Sequence, residues 1–269
     1  MSKRKSQSKP TSLVDIIIAV YGRFDLLKLC LESIPDAAKD ISYHVTLIDN
    51  NSPDQAEASA FYKELSGIRV IRNRENTGFP KACNQGAKLS KSPLLFLLNS
   101  DVVLFESAIK HLVTAMDDPK IGAVGMKLLF PPNSVSGPEE KIQHVGLYTD
   151  INGIFNHLFM GWSPDNPKVL AVKEVLAVTG AALMTRREWY MKLGGFDEIY
   201  GGGTFEDVDY CMKLRLNERE VIVEQRAAGY HYANASATEY KIGFPLQQNK
   251  SIFEARWAGR FPYTEYMHV

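Results

Sequence analysis

The chain has 269 residues, of which 45% are hydrophobic and 23% are charged. This composition excludes intrinsic disorder as the main state of the protein. Its 31 Lys and Arg residues balance 31 Asp and Glu residues, which argues against nucleic acid as the main partner, because that needs a basic surface. The longest apolar runs, 94–98 and 175–184, are far shorter than the ~18 residues of a membrane-spanning helix. We therefore expect a folded protein with a sizeable core.

The start of the chain is polar and basic and contains no apolar segment, so it does not resemble a secretory signal. We interpret residues 1–12 as a flexible basic tail, with attraction to an anionic membrane surface as the alternative. The 3 cysteines are widely spaced, which favours a reducing compartment over a disulfide framework. The predicted location is the cytoplasm, with peripheral attachment at the inner face of the cell membrane as the alternative.

From residue 14 onward, short β-branched runs alternate with longer amphipathic stretches. Four apolar runs predict buried strands at 14–21, 44–49, 68–73 and 93–101. A helix is predicted after each strand, at 26–34, 56–65, 80–90 and 106–116. This order predicts an α/β fold with a Rossmann-like, mainly parallel sheet and helices on both faces.

The second half of the chain is less regular. The predicted elements are a strand at 121–130, a strand and a helix within 174–197, a flexible glycine loop and an acidic helix start within 201–216, and a strand at 220–225. An aromatic-rich stretch around Arg256, Trp257 and Arg260 follows. We expect one domain over 13–235 and a C-terminal extension over 236–269, which packs on the domain or forms a dimer or membrane contact.

Polar residues follow the predicted strands, at 21–23, 49–52, 73–79 and 99–101. In a sheet of this kind, ligands bind in a crevice beyond the carboxyl ends of the strands. Asp101 ends the fourth strand, where a carboxylate suits a hard divalent cation such as Mg²⁺ or Mn²⁺. The alternative for Asp101 is a turn or a helix cap.

A second acidic group begins a helix in the second half of the chain. Glu206, Asp207 and Asp209 directly follow the glycine loop. A carboxylate at such a place can act as a general base toward an attacking hydroxyl, whereas the structural alternative is that these charges complement the helix dipole. His231 follows the late strand and either completes a metal site with Asp101 or has a structural role.

The order of seven motifs resembles that of family 2 glycosyltransferases. These motifs are VDIIIAVYGR, LIDNNS, NTGFPKACNQG, LLFLLNSDV, VTGAALMTRR, GGFDE and FEDVDYCMKLR. They are most similar to the rhamnosyltransferase-type branch that builds bacterial surface polysaccharides. The resemblance covers residues 13–235, and it implies the GT-A fold, transfer of a sugar from a nucleotide-diphosphate donor, and inversion of the anomeric centre.

The resemblance also implies roles for residues at matching positions. Val20, Tyr21 and Arg23 are implied to line the nucleotide pocket. Asp49 is implied to read a pyrimidine base beside Asn51, with turn formation as the alternative. Further contacts to the nucleotide or diphosphate are implied for Asn76, Gly78, Phe79, Lys81, Asn84, Asn99, Ser100 and Asp101.

For catalysis, the resemblance implies Asp207 as the base with Glu206 as its neighbour, and Asp101 and His231 as ligands of the metal. Two features depart from the family pattern. Asn99 replaces the first carboxylate of the metal motif, which leaves fewer charges for a cation. A GGGT segment precedes the acidic pair where relatives often carry bulky aromatic residues, which changes the acceptor pocket.

The expected activity is that of an inverting hexosyl- or deoxyhexosyltransferase that uses a UDP- or dTDP-sugar with Mg²⁺ or Mn²⁺. The expected acceptor is a glycan or a lipid-linked saccharide. A non-catalytic module that binds sugar nucleotides or glycans is the alternative. The turn AVYGRFD does not match the GxGxxG pattern of a dinucleotide-binding oxidoreductase, and the sequence contains no GxxxxGK[ST] segment of a P-loop NTPase.

Overall fold

The computed structural model describes residues 12–149, 155–233 and 235–260. Strands and helices alternate in the first half: β1 (Val14–Val20), α1 (Phe24–Ala37), β2 (Tyr43–Asp49), α2 (Gln55–Glu64), β3 (Arg69–Arg72), α3 (Phe79–Leu89), β4 (Leu94–Asn99), β5 (Val102–Leu104) and α4 (Ala108–Ala115). The second half contains β6 (Ile121–Leu129), β7 (Ile142–His144), β8 (Leu147–Thr149), β9 (Phe155–His157), α5 (Pro167–Leu170), β10 (Ala182–Arg186), α6 (Arg187–Lys192), α7 (Glu206–Leu216), β11 (Glu220–His231), α8 (Ala235–Glu239) and α9 (Leu246–Trp257). Of the predicted basic tail, residues 1–11 lie outside the described residues.

One large sheet has the strand order β3-β2-β1-β4-β10-β6-β11-β5, and β7 pairs with β6. The four strands β3, β2, β1 and β4 are parallel, as predicted. β10 is antiparallel to both β4 and β6, and β5 is antiparallel to β11. β10 begins opposite the end of β4, with Ala182 beside Leu98, and therefore runs back along it. The α/β class is confirmed, but the second half of the sheet is mixed rather than parallel.

The β-branched run of β1 is buried on both faces. Ile16 and Ile18 belong to a core that includes residues of α1, α2 and α4, whereas Ile17 belongs to a second core with residues of α3, α6 and α7. Alternate residues of a strand point to opposite faces, so one apolar run contributes to both cores. Helices therefore cover both faces of the sheet, as the sequence predicts.

The strand predicted at 93–101 ends earlier, at Asn99, and Asp101 lies in the turn that leads to β5. β11 is longer than predicted, because it continues through a register shift between Glu224 and Ala228. The residues at this shift are polar, so the hydrophobic pattern does not indicate that the strand continues beyond them. The longer strand places His231 opposite Val102 of β5, next to Asp101.

Helix α9 packs against the domain. Phe253 and Trp257 are buried in the core that contains α7. Arg256 Nη1 lies 2.8 Å from a carboxylate oxygen of Asp197 and 2.9 Å from one of Asp209. Arg256 and Trp257 therefore both contact the domain. None of the helices in the described ranges combines the length and the apolarity needed to cross a bilayer.

Candidate functional site

A crevice of about 390 Å³ opens at the carboxyl ends of β1 and β4. The starts of α3 and α7 and the end of β11 form further parts of its wall. Because parallel strands end at the same edge of a sheet, the fold collects residues that are far apart in the chain. The sequence-predicted residues on this wall are Val20, Tyr21, Asn76, Phe79, Asn99, Ser100, Asp101, Glu206, Asp207 and His231.

Asp49 does not line the crevice and is fully buried. Its Oδ1 accepts hydrogen bonds from the backbone N–H of Ser52 at 2.8 Å and from the Ser52 hydroxyl at 2.7 Å, and its Oδ2 accepts from Arg72 Nε at 3.0 Å. These donors satisfy the carboxylate without a ligand. The structure therefore corrects the expectation that Asp49 faces a nucleobase and places it as the residue that forms the turn after β2.

Asn50 is the residue of this turn that lies on the crevice wall. Its Nδ2 donates to Asn76 Oδ1 at 2.7 Å, and its Oδ1 accepts from the backbone N–H and the hydroxyl of Thr77, each at 3.0 Å. Asn51, the predicted residue, is absent from the wall; it has a left-handed φ of 67°, and its Oδ1 accepts from Gln55. The motif LIDNNS thus locates the turn, but the side chain that reaches the crevice precedes the predicted one.

Asn84 and Lys81 lie on α3 but not on the wall. Asn84 is buried, donates to the carbonyl of Phe196 and accepts from the hydroxyl of Tyr190, both at 2.8 Å. It therefore ties α3 to the segment that follows α6, instead of contacting a nucleotide as predicted. Lys81 is exposed.

The segment after His231 also forms part of the wall, which sequence reasoning missed. Its lining residues are Ala233, Ala235, Ser236, Ala237, Ile242 and Phe244. The ring of Tyr240 packs edge-on against Tyr21 with 5.5 Å between centroids, and its hydroxyl accepts from the backbone N–H of Arg23 at 3.4 Å. The side chain of Arg23, predicted to line the nucleotide pocket, instead forms an ion pair with Glu239 at 3.2 Å.

Asp101 and His231 face each other inside the crevice. The distance from Asp101 Oδ1 to His231 Nε2 is 3.3 Å, and both residues are buried. On the other side of the ring, Nδ1 lies 2.6 Å from Gln143 Oε1. Asn99 Nδ2 is 3.4 Å from Nε2. A carboxylate oxygen and an imidazole nitrogen of the chain therefore face the same position in the crevice.

This pair fits a divalent cation. Two ligand atoms that each lie about 2.0–2.2 Å from one cation are separated by about 3 Å, which matches the observed 3.3 Å. The described residues contain no cluster of three His, Cys, Asp or Glu side chains suited to a metal. The chain therefore offers two ligands, as in sites where a substrate's phosphate oxygens and water provide the others.

Asp207 lines the crevice at the start of α7. Burial raises the pKa of its carboxyl group, although hydrogen bonds from backbone N–H groups oppose the shift. Oδ2 accepts from the N–H of Gly180 and Oδ1 from that of Val208, both at 2.8 Å. A carboxylate with a raised pKa accepts a proton more readily, so this environment suits a general base.

Glu206 lines the crevice beside Asp207 but is only 4% exposed. Burial, and then the charge of Asp207, raise the pKa of Glu206 well above its ordinary value. Within the described ranges, its Oε2 has no hydrogen-bond partner. Glu206 therefore keeps its proton to a higher pH than an exposed glutamate does.

Glu206→Gln should stabilise the protein by an amount that grows with pH. The folded pKa of Glu206 is raised, so wild-type stability falls as the pH rises from the unfolded pKa, about 4.3, toward the folded one. Glutamine has the same shape but no proton to lose. Melting temperatures of the two proteins, measured from about pH 5 to about pH 8, should diverge as the pH rises. Parallel curves would show that Glu206 is not held protonated in the fold.

The glycine loop before α7 follows a strained path. Thr204 and Phe205 have left-handed φ angles of 76° and 69°, which cost energy for non-glycine residues. Asn249 of α9 is buried, and its Nδ2 donates to the carbonyls of Tyr200, Gly203 and Thr204 at 2.9, 2.7 and 3.2 Å. The loop is therefore clamped by α9, whereas the sequence predicts a flexible one.

Gly78 approaches this loop from α3. It has a φ of 86°, and a Cβ atom at this position would collide with the carbonyl oxygen of Gly201. Only glycine combines this backbone conformation with such a close approach. Gly78, predicted as a nucleotide contact, therefore meets the glycine loop and does not line the crevice.

Asn249→Ala should lower the free energy of unfolding by about 1–3 kcal/mol, because buried carbonyl groups of the glycine loop lose their donor. Urea unfolding measures this loss. Gln248→Ala is the matched control, since Gln248 lies on the exposed face of α9 and its loss should change the free energy by less than about 0.5 kcal/mol. Equal unfolding midpoints for the two variants would contradict the clamp.

The three-residue strand β7 contacts both His231 and the segment that binds Asp207. The sequence pattern does not predict this strand. Gln143 contacts His231, as described above. The next residue, His144, accepts a hydrogen bond at Nε2 from the backbone N–H of Thr179 at 3.2 Å. Burial lowers the pKa of His144 well below its ordinary value, which keeps it a neutral acceptor. Thr179 precedes Gly180, whose N–H binds the carboxylate of the candidate base.

Comparison with known proteins shows which protein family the chain matches. A family model described as Glycosyl transferase family 2 matches residues 15–194. Among curated proteins, the chain is 30% identical over 236 residues to the O-antigen biosynthesis protein RfbC of Myxococcus xanthus. That match covers 84% of this chain but 18% of the relative. The chain therefore spans less than a fifth of the relative's length.

Two solved structures share the fold. One is GalNAc-T7 with UDP, GalNAc and Mn²⁺, with a TM-score of 0.71 and 16% identity over 99% of this chain and 52% of that one. The other is the mannosyltransferase PcManGT from Pyrobaculum calidifontis in complex with GDP-Man and Mn²⁺, with a TM-score of 0.60 and 15% identity over 95% and 78% of the two chains. At this identity the likeness concerns the fold, and it confirms the expected GT-A fold.

Proposed function

The chain belongs to glycosyl transferase family 2, and from this we propose that its crevice transfers a sugar from a nucleotide-diphosphate donor to an acceptor hydroxyl. One observation carries the proposal: the Asp101–His231 pair and the carboxylate of Asp207 line the same crevice. The pair fits a cation, and the carboxylate can accept a proton. A transfer of this kind needs both, because the leaving group gains negative charge and the acceptor loses a proton.

On the donor side, Asp101 and His231 are the residues that would hold Mg²⁺ or Mn²⁺. When bound, the cation supplies positive charge to the leaving diphosphate. Val20, Tyr21 and Asn76 form the part of the wall that we assign to the nucleoside of a UDP- or dTDP-sugar. The presence of UDP and Mn²⁺ in the GalNAc-T7 structure supports this assignment.

On the acceptor side, Asp207 takes the proton of the attacking hydroxyl. One carboxylate suffices for a single displacement, which inverts the anomeric centre, whereas double displacement needs a second carboxylate as nucleophile. Glu206 does not suit that second role, because burial favours its protonated form and successive helix residues project about 100° apart. We therefore propose inversion, with a hexosyl or deoxyhexosyl group transferred.

The proposed acceptor is a glycan or a lipid-linked saccharide in polysaccharide biosynthesis. Similarity to an O-antigen biosynthesis protein supports this setting. The proposed place is the cytoplasm, at or near the inner face of the cell membrane. Contact of the chain's termini with that membrane, or with a second copy of the chain, stays a prediction.

A thermal-shift panel of UDP-, dTDP- and GDP-sugars, each with and without Mn²⁺, tests the donor assignment. A ligand that binds the folded state raises the melting temperature, so we expect a rise with UDP- or dTDP-sugars that is larger with Mn²⁺. Asp101→Asn keeps the side-chain shape and should remove the Mn²⁺ increment. No rise with any donor would contradict the proposal, whereas a rise without any turnover would favour the non-catalytic binding module.

A further inference from the structure

Gln143 makes two hydrogen bonds to a single residue, His231. Its Oε1 lies 2.6 Å from the ring Nδ1, and its Nε2 donates to the backbone carbonyl of His231 at 2.9 Å. Gln143 is 6% exposed and belongs to β7. Its amide therefore contacts both the main chain and the side chain of His231.

The backbone bond fixes which way the amide points. A carbonyl oxygen only accepts hydrogen bonds, so the group of Gln143 that faces it must be the NH₂. The amide oxygen then faces the imidazole ring, where it also only accepts. Nδ1 of His231 must therefore carry a proton, and in the neutral ring Nε2 is left with a lone pair.

A third contact agrees with this protonation. The amide nitrogen of Asn99 lies 3.4 Å from Nε2 of His231, on the side where a lone pair accepts. Asp101 Oδ1 also faces Nε2, at 3.3 Å. Two acceptors therefore flank the ring, Gln143 at Nδ1 and Asp101 at Nε2, and the shorter contact belongs to Gln143.

We propose that Gln143 is a positioning residue that holds His231 in the Nδ1–H tautomer, with Nε2 and Asp101 free to bind one divalent cation. This inference rests on the proposed function. Without the amide oxygen, the Asp101 carboxylate is the remaining acceptor of the two, and it favours the Nε2–H tautomer. That tautomer places a proton where the cation would bind.

The tautomer is measured directly in metal-free protein, from the two-bond ¹H–¹⁵N couplings of ¹⁵N-labelled histidine at alkaline pH. The signals of His231 are assigned by their loss in His231→Gln. We expect the Nδ1–H pattern in the wild type and the Nε2–H pattern in Gln143→Met, which keeps the length but removes the acceptor. A wild type with the Nε2–H pattern overturns the proposal without any variant.

Affinity for Mn²⁺ alone, measured by calorimetry or electron paramagnetic resonance, is the second readout. Gln143→Met should weaken it about 10–100-fold, the usual effect of losing a group that orients a metal-ligating histidine. Gln248→Met makes the same chemical change at an exposed position and should leave affinity unchanged. Wild-type affinity in Gln143→Met overturns the positioning role. A wild type with the Nδ1–H pattern that binds no Mn²⁺, either alone or together with UDP, overturns the cation site itself, and with it the donor-side part of the proposed function.

Discussion

Replacing Asp207 by asparagine is expected to reduce turnover by roughly 10²–10⁴-fold. Asparagine keeps the shape of the side chain at the start of α7 but cannot accept the proton of an attacking hydroxyl. Donor binding should survive, because Asp207 is assigned to the acceptor side of the crevice. A transfer assay that measures product formation, combined with donor titration by calorimetry, separates the two effects.

Glu206→Gln is the matched control, because it makes the same chemical change at the adjacent position. Its turnover should stay near that of the wild type, since burial already favours the protonated form of Glu206. The pH profile gives a further readout: the base must be ionised, and its pKa is raised, so the wild-type rate should rise with pH above the ordinary pKa range of an aspartate. Normal turnover in Asp207→Asn with an inactive Glu206→Gln would show that the base is the other carboxylate. Circular dichroism checks that both variants are folded.

Asp101→Ala should lower turnover by about 10²–10³-fold, the range seen when one group that stabilises developing charge is removed. The variant loses one of the two side chains that face the proposed cation position. Chelation with EDTA should reproduce the loss in the wild type, and added Mn²⁺ should restore the wild type but not the variant. Both are measured as initial rates at saturating donor.

The control for this substitution is Asp117→Ala, which removes a carboxylate from an exposed position after α4. Its turnover and its response to EDTA should match those of the wild type. Full activity of the wild type in EDTA would contradict the cation role, and Asp101 would then act only by orienting the donor. A loss of folding in Asp101→Ala is checked separately by thermal unfolding.

The parts of the site that could be predicted from the sequence follow from strand ends. β1 and β4 are continuous apolar runs, so their limits, and hence the polar residues after them, are visible in the pattern. The strand limits predict that Tyr21 and Asp101 lie at the crevice, and the structure shows both on its wall. The motif resemblance added Asp207 and His231, which the pattern alone left with structural alternatives.

The limits of the strands do not show which way a polar side chain points. Asp49 and Asn84 occupy positions near the crevice edge, but their side chains turn into the protein and bind Arg72 and Phe196. Whether a polar side chain faces the crevice or a neighbouring helix depends on packing that a single sequence does not display.

Gln143 and Asn249 were not predicted at all. Gln143 belongs to a three-residue strand, which is too short for a periodic pattern, and Asn249 reaches the glycine loop from a helix that follows it by more than 40 residues. The contacts of both residues are long-range and polar, and hydrophobic periodicity contains no information about such contacts.

In the proposed function, one crevice releases a nucleoside diphosphate from a sugar donor, with Asp101 and Asp207 in separate roles. The most direct measurement is the release of nucleoside diphosphate from UDP-, dTDP- and GDP-sugars in the presence of Mn²⁺, compared between the wild type, Asp101→Ala and Asp207→Asn. We expect release of UDP or dTDP by the wild type and strongly reduced release by both folded variants. Release by either variant at the wild-type rate, or no release by a wild type that binds the donor, would contradict it.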